Sequence, residues 1–181
     1  MKIETLPPPR LQEALQSRLE QNSRLGDRQT YLGASEVGGC LRRVLASKRH
    51  PEALDPASMG RMLAGRALEN EVIQMVRLAL AGTLRNTGRA QLEARHPHLP
   101  WIAHPDGRIT DPTQGDGVLE VKTASSATFK RYAEQGLPEQ YLDQVQTQMG
   151  LTGLSWGLVV LVSRESLAEM ASFHVSFDPE H

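Results

Sequence analysis

The spacing of apolar residues changes along this chain, and the change restricts the folds that it can adopt. Up to about residue 82, apolar residues recur every three or four positions, which is the period of amphipathic helices. Beyond that point, short apolar segments alternate with Pro, Gly, Asn and Asp, which is typical of strands joined by turns. Helical spacing returns over residues 125–152. Both periods in one chain predict an α/β (α+β) fold in which helices cover a sheet.

Capping residues and spacing give the individual elements. Five helices are predicted: residues 10–22, a helix with Ser35 as its N-cap, a long helix from Asp55 to Gly82, residues 125–135 and residues 138–152. Five strands are predicted at residues 89–95, 101–103, 118–123, 156–162 and 173–177. We expect the first three strands to form an antiparallel meander.

The length of the chain favours a single domain. At 181 residues it can build one ordinary hydrophobic core but not two. We therefore predict an N-terminal extension over residues 1–27, which carries the first amphipathic helix, and one domain over residues 28–181. Aromatic residues make up only 4% of the chain, so the core should consist mostly of aliphatic residues.

Charge and cysteine content exclude several classes of protein. Twenty Lys and Arg residues against 21 Asp and Glu residues give a net charge of -1, so the chain lacks the overall positive charge of a nucleic-acid coat. Its single cysteine, Cys40, cannot form an intramolecular disulfide or a four-cysteine metal site. We expect Cys40 to be buried and the compartment to be a reducing cytoplasm. No apolar run approaches the roughly 20 residues of a membrane span, so no membrane partner is predicted.

The strand predicted at residues 118–123 carries two charges on one face. Because side chains alternate along a strand, Leu119 and Val121 point to one face, and Glu120 and Lys122 point to the other. Opposite charges two residues apart are common on solvated strand faces, so this pair alone does not indicate a site.

Asp106 changes the interpretation of that strand. It lies in a turn that precedes Ile109 and the hairpin loop predicted at residues 111–117. An aspartate before a glycine is ordinary in turns, because its side chain caps backbone amides. The hairpin, however, would bring Asp106 beside Glu120.

Glu69 on the long helix is a third candidate carboxylate. Surface helices contain many glutamates, so Glu69 alone is most simply a solvated residue. Gly65 on the same helix is more informative. A glycine inside a helix costs about 1 kcal/mol relative to alanine and usually indicates close approach by another group.

Together these residues resemble the signature of the PD-(D/E)xK nuclease superfamily. That signature is an Asp followed, after a spacer, by Glu-x-Lys, here Pro105-Asp106 and Glu120-Val121-Lys122. Residues 65–69 are similar to its helical Gly-x-x-x-Glu element, and residues 141–149 to the motif that follows the lysine. The chain looks most like the YqaJ and phage lambda exonuclease branch, over residues 28–153. The resemblance implies a restriction-endonuclease-like core, a mixed β-sheet flanked by helices in the order αβββαβ.

The resemblance also implies a Mg²⁺ site in which Mn²⁺ can substitute. Asp106 and Glu120 are implied as central ligands, Glu69 as an additional ligand and the Val121 carbonyl as a backbone ligand. Phosphodiester hydrolysis requires a nucleophilic water and relief of negative charge, and a divalent cation provides both. Mg²⁺ prefers hard oxygen ligands, which explains the carboxylates.

Two further residues are implied as catalytic. Lys122 would orient or deprotonate the attacking water. Burial lowers the pKa of a lysine whereas nearby carboxylates raise it, and the sequence leaves the balance open. Gln144 would border the metal site and position water or phosphate, and a solvent-facing glutamine on an amphipathic helix is the alternative.

Arg28 and Ser35 resemble the part of lambda-type exonucleases that binds a 5′-phosphate. An arginine fork and a hydroxyl at a helix N-terminus suit such a group. Arg42 and Arg43, with the other basic residues of the same helix, would extend the positive surface along DNA. A solvated helix face explains these two arginines equally well.

The resemblance therefore implies a Mg²⁺-dependent exonuclease that degrades duplex DNA ends from 5′ to 3′ in phage-type recombination. A single-strand annealing protein is the expected partner, and the bacterial host cytoplasm is the compartment if a phage encodes the chain. A homo-oligomer stays open. The alternatives are a structure-specific or restriction-like endonuclease, which uses the same metal site, and a catalytically silent DNA-binding module, which the retained Asp, Glu and Lys disfavour.

Overall fold

The coarse predicted order of helices, strands, helices and strands is kept, but the described residues include three strands that the sequence did not predict, one of them between the first two helices. A computed structural model describes residues 9–21, 28–52, 54–80 and 83–181. The helices are α1 (Pro9–Gln21), α2 (Leu41–Arg49), α3 (Pro56–Ala79), α4 (Ser126–Gln135) and α5 (Glu139–Thr152). The strands are β1 (Leu32–Gly33), β2 (Leu84–Arg85), β3 (Ala94–Arg95), β4 (Trp101–Ala103), β5 (Gly107–Asp111), β6 (Gly115–Ala124), β7 (Trp156–Ser163) and β8 (Met170–Ser176). Within the described ranges, no helix is both long and apolar enough to cross a membrane.

A five-stranded mixed sheet forms the centre of the fold. Its strand order is β2-β5-β6-β7-β8. β5 and β6 form an antiparallel hairpin, β6 and β7 run parallel, and β8 returns antiparallel to β7. Parallel neighbours need a crossover connection, which α4 and α5 provide between β6 and β7. The predicted mixed sheet flanked by helices is confirmed.

Different helices cover the two faces of this sheet. α3 covers one face, where Val72, Ile73 and Val76 pack with Leu119 and Val121. α4 and α5 cover the other face, with Phe129, Val145 and Met149 in contact with Val118, Val159 and Leu161. The face of β6 that carries Glu120 therefore lies under a helix instead of facing solvent.

Helix capping explains why several predicted helix starts are right. The Asp55 side chain accepts a hydrogen bond from Ser58 N at 3.0 Å, and Ser125 accepts one from the backbone of α4.

Gly82 and Asn22, the predicted ends of two helices, lie outside the described residues. α1 packs against α3. The domain boundary at residue 27 stays a prediction.

The predicted antiparallel meander is right for its first two strands, β3 and β4, and wrong for the third, β6. β4 pairs with β1 and β3 in a separate three-stranded sheet, whereas β6 belongs to the five-stranded sheet. The strand predicted at residues 89–95 is reduced to Ala94–Arg95. Asn86 and Gly88 both have positive φ values, and a 3-10 turn follows at Gly88–Ala90, so the chain turns where an extended strand was expected.

The predicted helix capped by Ser35 is also wrong. The chain forms a 3-10 turn at Ala34–Glu36, and Gly38 then has a φ of +74°, a left-handed conformation that interrupts helical continuation. α2 begins only after Cys40, which is exposed and not buried as expected. Among the described residues, α2 contributes none to the core.

Candidate active site

A cleft of about 540 Å³ brings most of the predicted site residues together. It is lined by eight of the ten: Arg28, Ser35, Glu69, Asp106, Glu120, Val121, Lys122 and Gln144. These residues come from α3, β6, α5, the segments that precede β1 and β5, and the turn that follows β1. Arg42 and Arg43 do not line the cleft, and both are exposed on α2.

The β5–β6 hairpin places Asp106 next to Glu120, as the sequence predicts. Gly107 pairs with Leu119 in the register of the two strands. Asp106 N donates to the Leu119 carbonyl at 2.9 Å, and Val121 N donates to Asp106 Oδ2 at 2.8 Å. The connecting loop is shorter than the predicted residues 111–117, because pairing continues to Asp111 and Gly115.

Glu120 accepts hydrogen bonds on both carboxylate oxygens. Lys122 Nζ and Gln144 Nε2 donate to Oε1 at 2.8 and 2.5 Å, and Gln148 Nε2 donates to Oε2 at 2.7 Å. Lys122 Nζ also donates to Gln144 Oε1 at 2.6 Å. Glu120 is only 4% exposed, so these contacts fix the orientation of its carboxylate.

Gln148 is the site residue that sequence reasoning missed. It is 1% exposed and lies one helical turn after Gln144, on the same face of α5. The spacing of four residues from Gln144 was the available signal. An amide at that position can reach the same carboxylate from the next turn.

Burial and repulsion from neighbouring carboxylates both raise the pKa of Asp106. Burial raises the pKa of the Asp106 carboxyl, the charges of Glu120 and Glu69 raise it further, and the result lies well above the usual aspartate range. The hydrogen bond from Val121 N and the charge of Lys122 act in the opposite direction. Gln91 Nε2 also donates to Asp106 Oδ1, at 3.2 Å.

The sequence left open whether burial or the nearby carboxylates decide the pKa of Lys122, and in the structure the carboxylates, with Tyr141, have the larger combined effect. Burial is the largest single influence and lowers the pKa of Lys122. The charge of Glu120 and its hydrogen bond, together with the charge of Asp106 and the nearby Tyr141, outweigh burial, so the pKa is raised. The ammonium also lies 5.0 Å from the centre of the Tyr141 ring.

The carboxylates of the cleft fit a divalent cation. Within the part of the chain that the structure describes, no three His, Cys, Asp or Glu side chains are already gathered as a ready set of ligands. Glu69, Asp106 and Glu120 nevertheless line one cleft, and their repulsion raises the pKa of Asp106. Hard oxygen donors suit Mg²⁺, and its charge would relieve this repulsion.

Arg28 and Ser35 lie together in the same cleft. Arg28 Nη2 donates to Ser35 Oγ at 3.4 Å, and the guanidinium lies 5.4 Å from the centre of the Tyr31 ring. Because Ser35 belongs to the 3-10 turn, its hydroxyl is not at the N-terminus of an α-helix as the sequence predicts. The guanidinium of Arg28 and the hydroxyl of Ser35 still form a suitable binding site for a phosphate.

Glu36 and Lys48 hold this segment in place. Glu36 Oε2 accepts from Gly33 N at 2.7 Å and forms an ion pair with Lys48 at 2.9 Å. Lys48 Nζ also donates to the Arg28 carbonyl at 2.8 Å. Sequence reasoning did not identify this role of Glu36 and treated Lys48 only as part of a basic helix. The structure instead gives Lys48 a contact that fixes the backbone of Arg28.

Comparison with known families finds one domain family that matches this chain. The YqaJ-like viral recombinase domain matches residues 57–155, which is more than half of the chain. The matched segment contains the three cleft carboxylates, Lys122 and Gln144, whereas Arg28 and Ser35 lie before it. No curated protein matches the chain.

Solved structures share the fold at low sequence identity. The alkaline exonuclease LHK-Exo from Laribacter hongkongensis is 21% identical, with a TM-score of 0.64 over 84% of this chain and 80% of the other. Its complex with dAMP gives 21% identity and a TM-score of 0.65 over 85% and 82%. The structure of SSO0001 gives 16% identity and a TM-score of 0.62 over 95% and 80%. At these identities the similarity concerns the fold.

Proposed function

Because this chain belongs to the YqaJ-like viral recombinase family, we propose that it is a Mg²⁺-dependent deoxyribonuclease that degrades duplex DNA from its ends. The main support is the juxtaposition of Asp106, which immediately precedes β5, with Glu120 and Lys122 of β6, in a cleft that Glu69 also lines. Carboxylates that hold a divalent cation, together with an ammonium, suit hydrolysis of a phosphodiester.

The proposed metal ligands are the three carboxylates of the cleft and one carbonyl. Asp106 and Glu120 would be the central ligands of Mg²⁺, with Glu69 and the Val121 carbonyl as additional ones, and Mn²⁺ would substitute because it also prefers oxygen ligands. When bound, the cation supplies an activated water and relieves the negative charge of the phosphate.

Lys122 and Gln144 complete the proposed catalytic group. The Lys122 ammonium, which Glu120 Oε1 and Gln144 Oε1 hold from two sides, would orient the attacking water and donate a hydrogen bond to the phosphate. Gln144 would act through these two residues, because it donates to Glu120 and accepts from Lys122. These contacts hold both charged groups in a fixed mutual geometry.

The proposed direction of digestion is 5′ to 3′. Arg28 and Ser35 would bind the terminal 5′-phosphate in the cleft that contains the carboxylates. Digestion in this direction leaves 3′ single strands, so a single-strand annealing protein is the proposed partner in recombination. We propose the bacterial host cytoplasm as the compartment, where the exposed Cys40 thiol would stay reduced.

Comparison of linear and covalently closed DNA tests the proposed activity. We expect the full chain to digest linear duplexes in Mg²⁺, to leave closed circles intact, and to lose activity with a chelator. Cleavage of closed circles would indicate an endonuclease. Absence of any metal-dependent cleavage would support a catalytically silent DNA-binding module.

A second experiment tests the direction of digestion. Charge-assisted hydrogen bonds are worth about 1.5 to 3 kcal/mol each, so removal of the 5′-phosphate should slow single-turnover digestion about tenfold or more. Arg28→Ala should slow only the phosphorylated duplex, to about the rate of the dephosphorylated one. Equal wild-type rates on the two duplexes would refute 5′-phosphate recognition and leave the nuclease proposal intact.

A further inference from the structure

Arg66 is a cation in the cleft that the proposed chemistry does not use. It lies on α3, three residues before Glu69, and lines the cleft. Its Nη1 atom is fully buried and has no hydrogen-bond partner among the described residues. By contrast, Arg28 contacts Ser35, and Lys122 contacts Glu120 and Gln144.

A buried charged donor without an acceptor destabilises the free protein. Arg66 as a whole is only half-buried, so its guanidinium can turn to present Nη1 to the anionic oxygen of a ligand, and that contact would remove this cost. Arg18 of α1 lines the same cleft, so a second guanidinium faces the same space from a different helix. The planar fork of an arginine suits the tetrahedral oxygens of a phosphate group.

We propose that Arg66, with Arg18 as an auxiliary contact, binds an internal phosphodiester of the DNA strand that enters the cleft. This inference rests on the proposed function, because it assumes that DNA is the substrate. Arg28 and Ser35, on a different segment, are assigned to the terminal phosphate. A backbone phosphate further along the strand is therefore the anion left for Arg66, and α1 becomes a wall of the DNA channel.

Binding of DNA by Arg66→Met tests the proposal. Methionine keeps much of the side-chain volume and removes the charge. Fluorescence anisotropy with labelled blunt duplexes, in chelator so that no cleavage occurs, measures affinity over a series of salt concentrations. We expect about tenfold weaker binding, or about 1.4 kcal/mol. The slope of log affinity against log salt should fall by about one.

Two controls make this result specific. Arg61→Met removes the same charge from the same helix, but Arg61 is exposed and contacts Ser58, so DNA binding should stay unchanged. The loss caused by Arg66→Met should be equal on duplexes with and without a 5′-phosphate. Thermal unfolding should show Arg66→Met to be at least as stable as the wild type, because a buried donor without an acceptor is removed.

Unchanged binding by Arg66→Met would overturn the proposal. A loss limited to the 5′-phosphorylated duplex would also overturn it, because Arg66 would then bind the terminal 5′-phosphate together with Arg28 and Ser35. A weaker complex accompanied by a lower melting temperature would assign Arg66 a structural role. If the wild type binds no duplex in chelator and cleaves none in Mg²⁺, this inference and the nuclease proposal are both overturned. If it binds duplexes but does not cleave them in Mg²⁺, only the nuclease proposal is overturned.

Discussion

Glu120 is the residue around which most polar contacts of the cleft are organised. Lys122, Gln144 and Gln148 donate to its two oxygens, and helix α5 shields it from solvent. Groups that hold a metal ligand in its orientation typically change metal affinity or activity 10- to 100-fold when removed. If Glu120 is a metal ligand as proposed, residues that hold its carboxylate therefore matter for the site.

Gln148→Met should weaken metal binding by about tenfold or more, because Glu120 Oε2 loses its donor at nearly constant side-chain volume. Calorimetric titration of the protein with Mg²⁺ measures this without DNA. Gln140→Met, at an exposed position of the same helix, is the matched control and should bind Mg²⁺ like the wild type. Equal affinities of the Gln148 variant and the wild type would contradict a positioning role.

The raised pKa of Asp106 has a consequence for stability. A carboxyl whose pKa is higher in the folded state stabilises the fold at low pH, and this stabilisation is lost as the pH rises through the raised pKa. Asp106→Asn cannot ionise, so the metal-free variant should melt at a higher temperature than the wild type at neutral pH.

The pH dependence distinguishes stabilisation through the loss of an ionisable group from a change in stability that is the same at every pH. The advantage of Asp106→Asn should shrink as the pH falls toward the usual aspartate range. Asp111→Asn should behave in the opposite sense, because hydrogen bonds from Thr113 and Gln114 lower the pKa of Asp111. Thermal unfolding of both variants from acidic to neutral pH checks the prediction, and a lower melting temperature of Asp106→Asn at every pH would be inconsistent with it.

At the level of single residues, the sequence predicts the residues that would carry out the reaction better than the residues that hold them in position. Asp106, Glu120 and Lys122 could be predicted because a short motif and strand alternation place them together. The spacing from Gln144 was a signal for Gln148, but its role, like those of Glu36 and Lys48, depends on which segments the fold brings together. A glutamine or a glutamate on a helix has the same local pattern whether it faces solvent or a buried carboxylate.

At the level of elements, close packing between β6 and β7 depends on a glycine. A Cβ atom on Gly117 would overlap the ring of Trp156, which is buried and stacked on His174. The hairpin that contains Gly117 carries Asp106 on one side and Glu120 on the other. Its packing therefore supports the geometry of the site.

Gly117→Ala should destabilise the protein by about 1 to 3 kcal/mol, because the indole must move in a well-packed core. Gly60→Ala is the matched control. Gly60 lies in α3, where a Cβ atom would have no neighbour within 4 Å, so alanine should stabilise the helix by about 1 kcal/mol. Denaturant unfolding of both variants gives the two free energies, and two changes of the same sign would refute the packing explanation.

Elements with strong local signals could be predicted, and short ones could not. Asp55 and Ser125 mark the starts of α3 and α4 because a capping side chain acts within its own turn. The two-residue strands β1 and β3 have too few positions for an alternating pattern. Their pairing with β4 depends on the rest of the fold, so the small sheet was missed.

At the level of the whole molecule, charge distribution matters more than net charge. The chain carries a net charge of -1, yet Arg18, Arg28, Arg66 and Lys122 line the same cleft as the three carboxylates. A bound divalent cation would make this space attractive to a polyanion. Composition alone could exclude a nucleic-acid coat but could not reveal a local binding surface of this kind.

The central claim is that Glu120 is a ligand of the catalytic metal. The most direct measurement is the single-turnover rate of digestion of an end-labelled linear duplex in Mg²⁺ by the wild type, Glu120→Gln and Glu139→Gln. Glu139 is exposed at the start of α5 and provides the matched loss of charge. We predict that Glu120→Gln keeps the wild-type circular dichroism spectrum and is slower by several orders of magnitude, while Glu139→Gln is unaffected. A folded Glu120→Gln variant that digests DNA at nearly the wild-type rate would contradict the account.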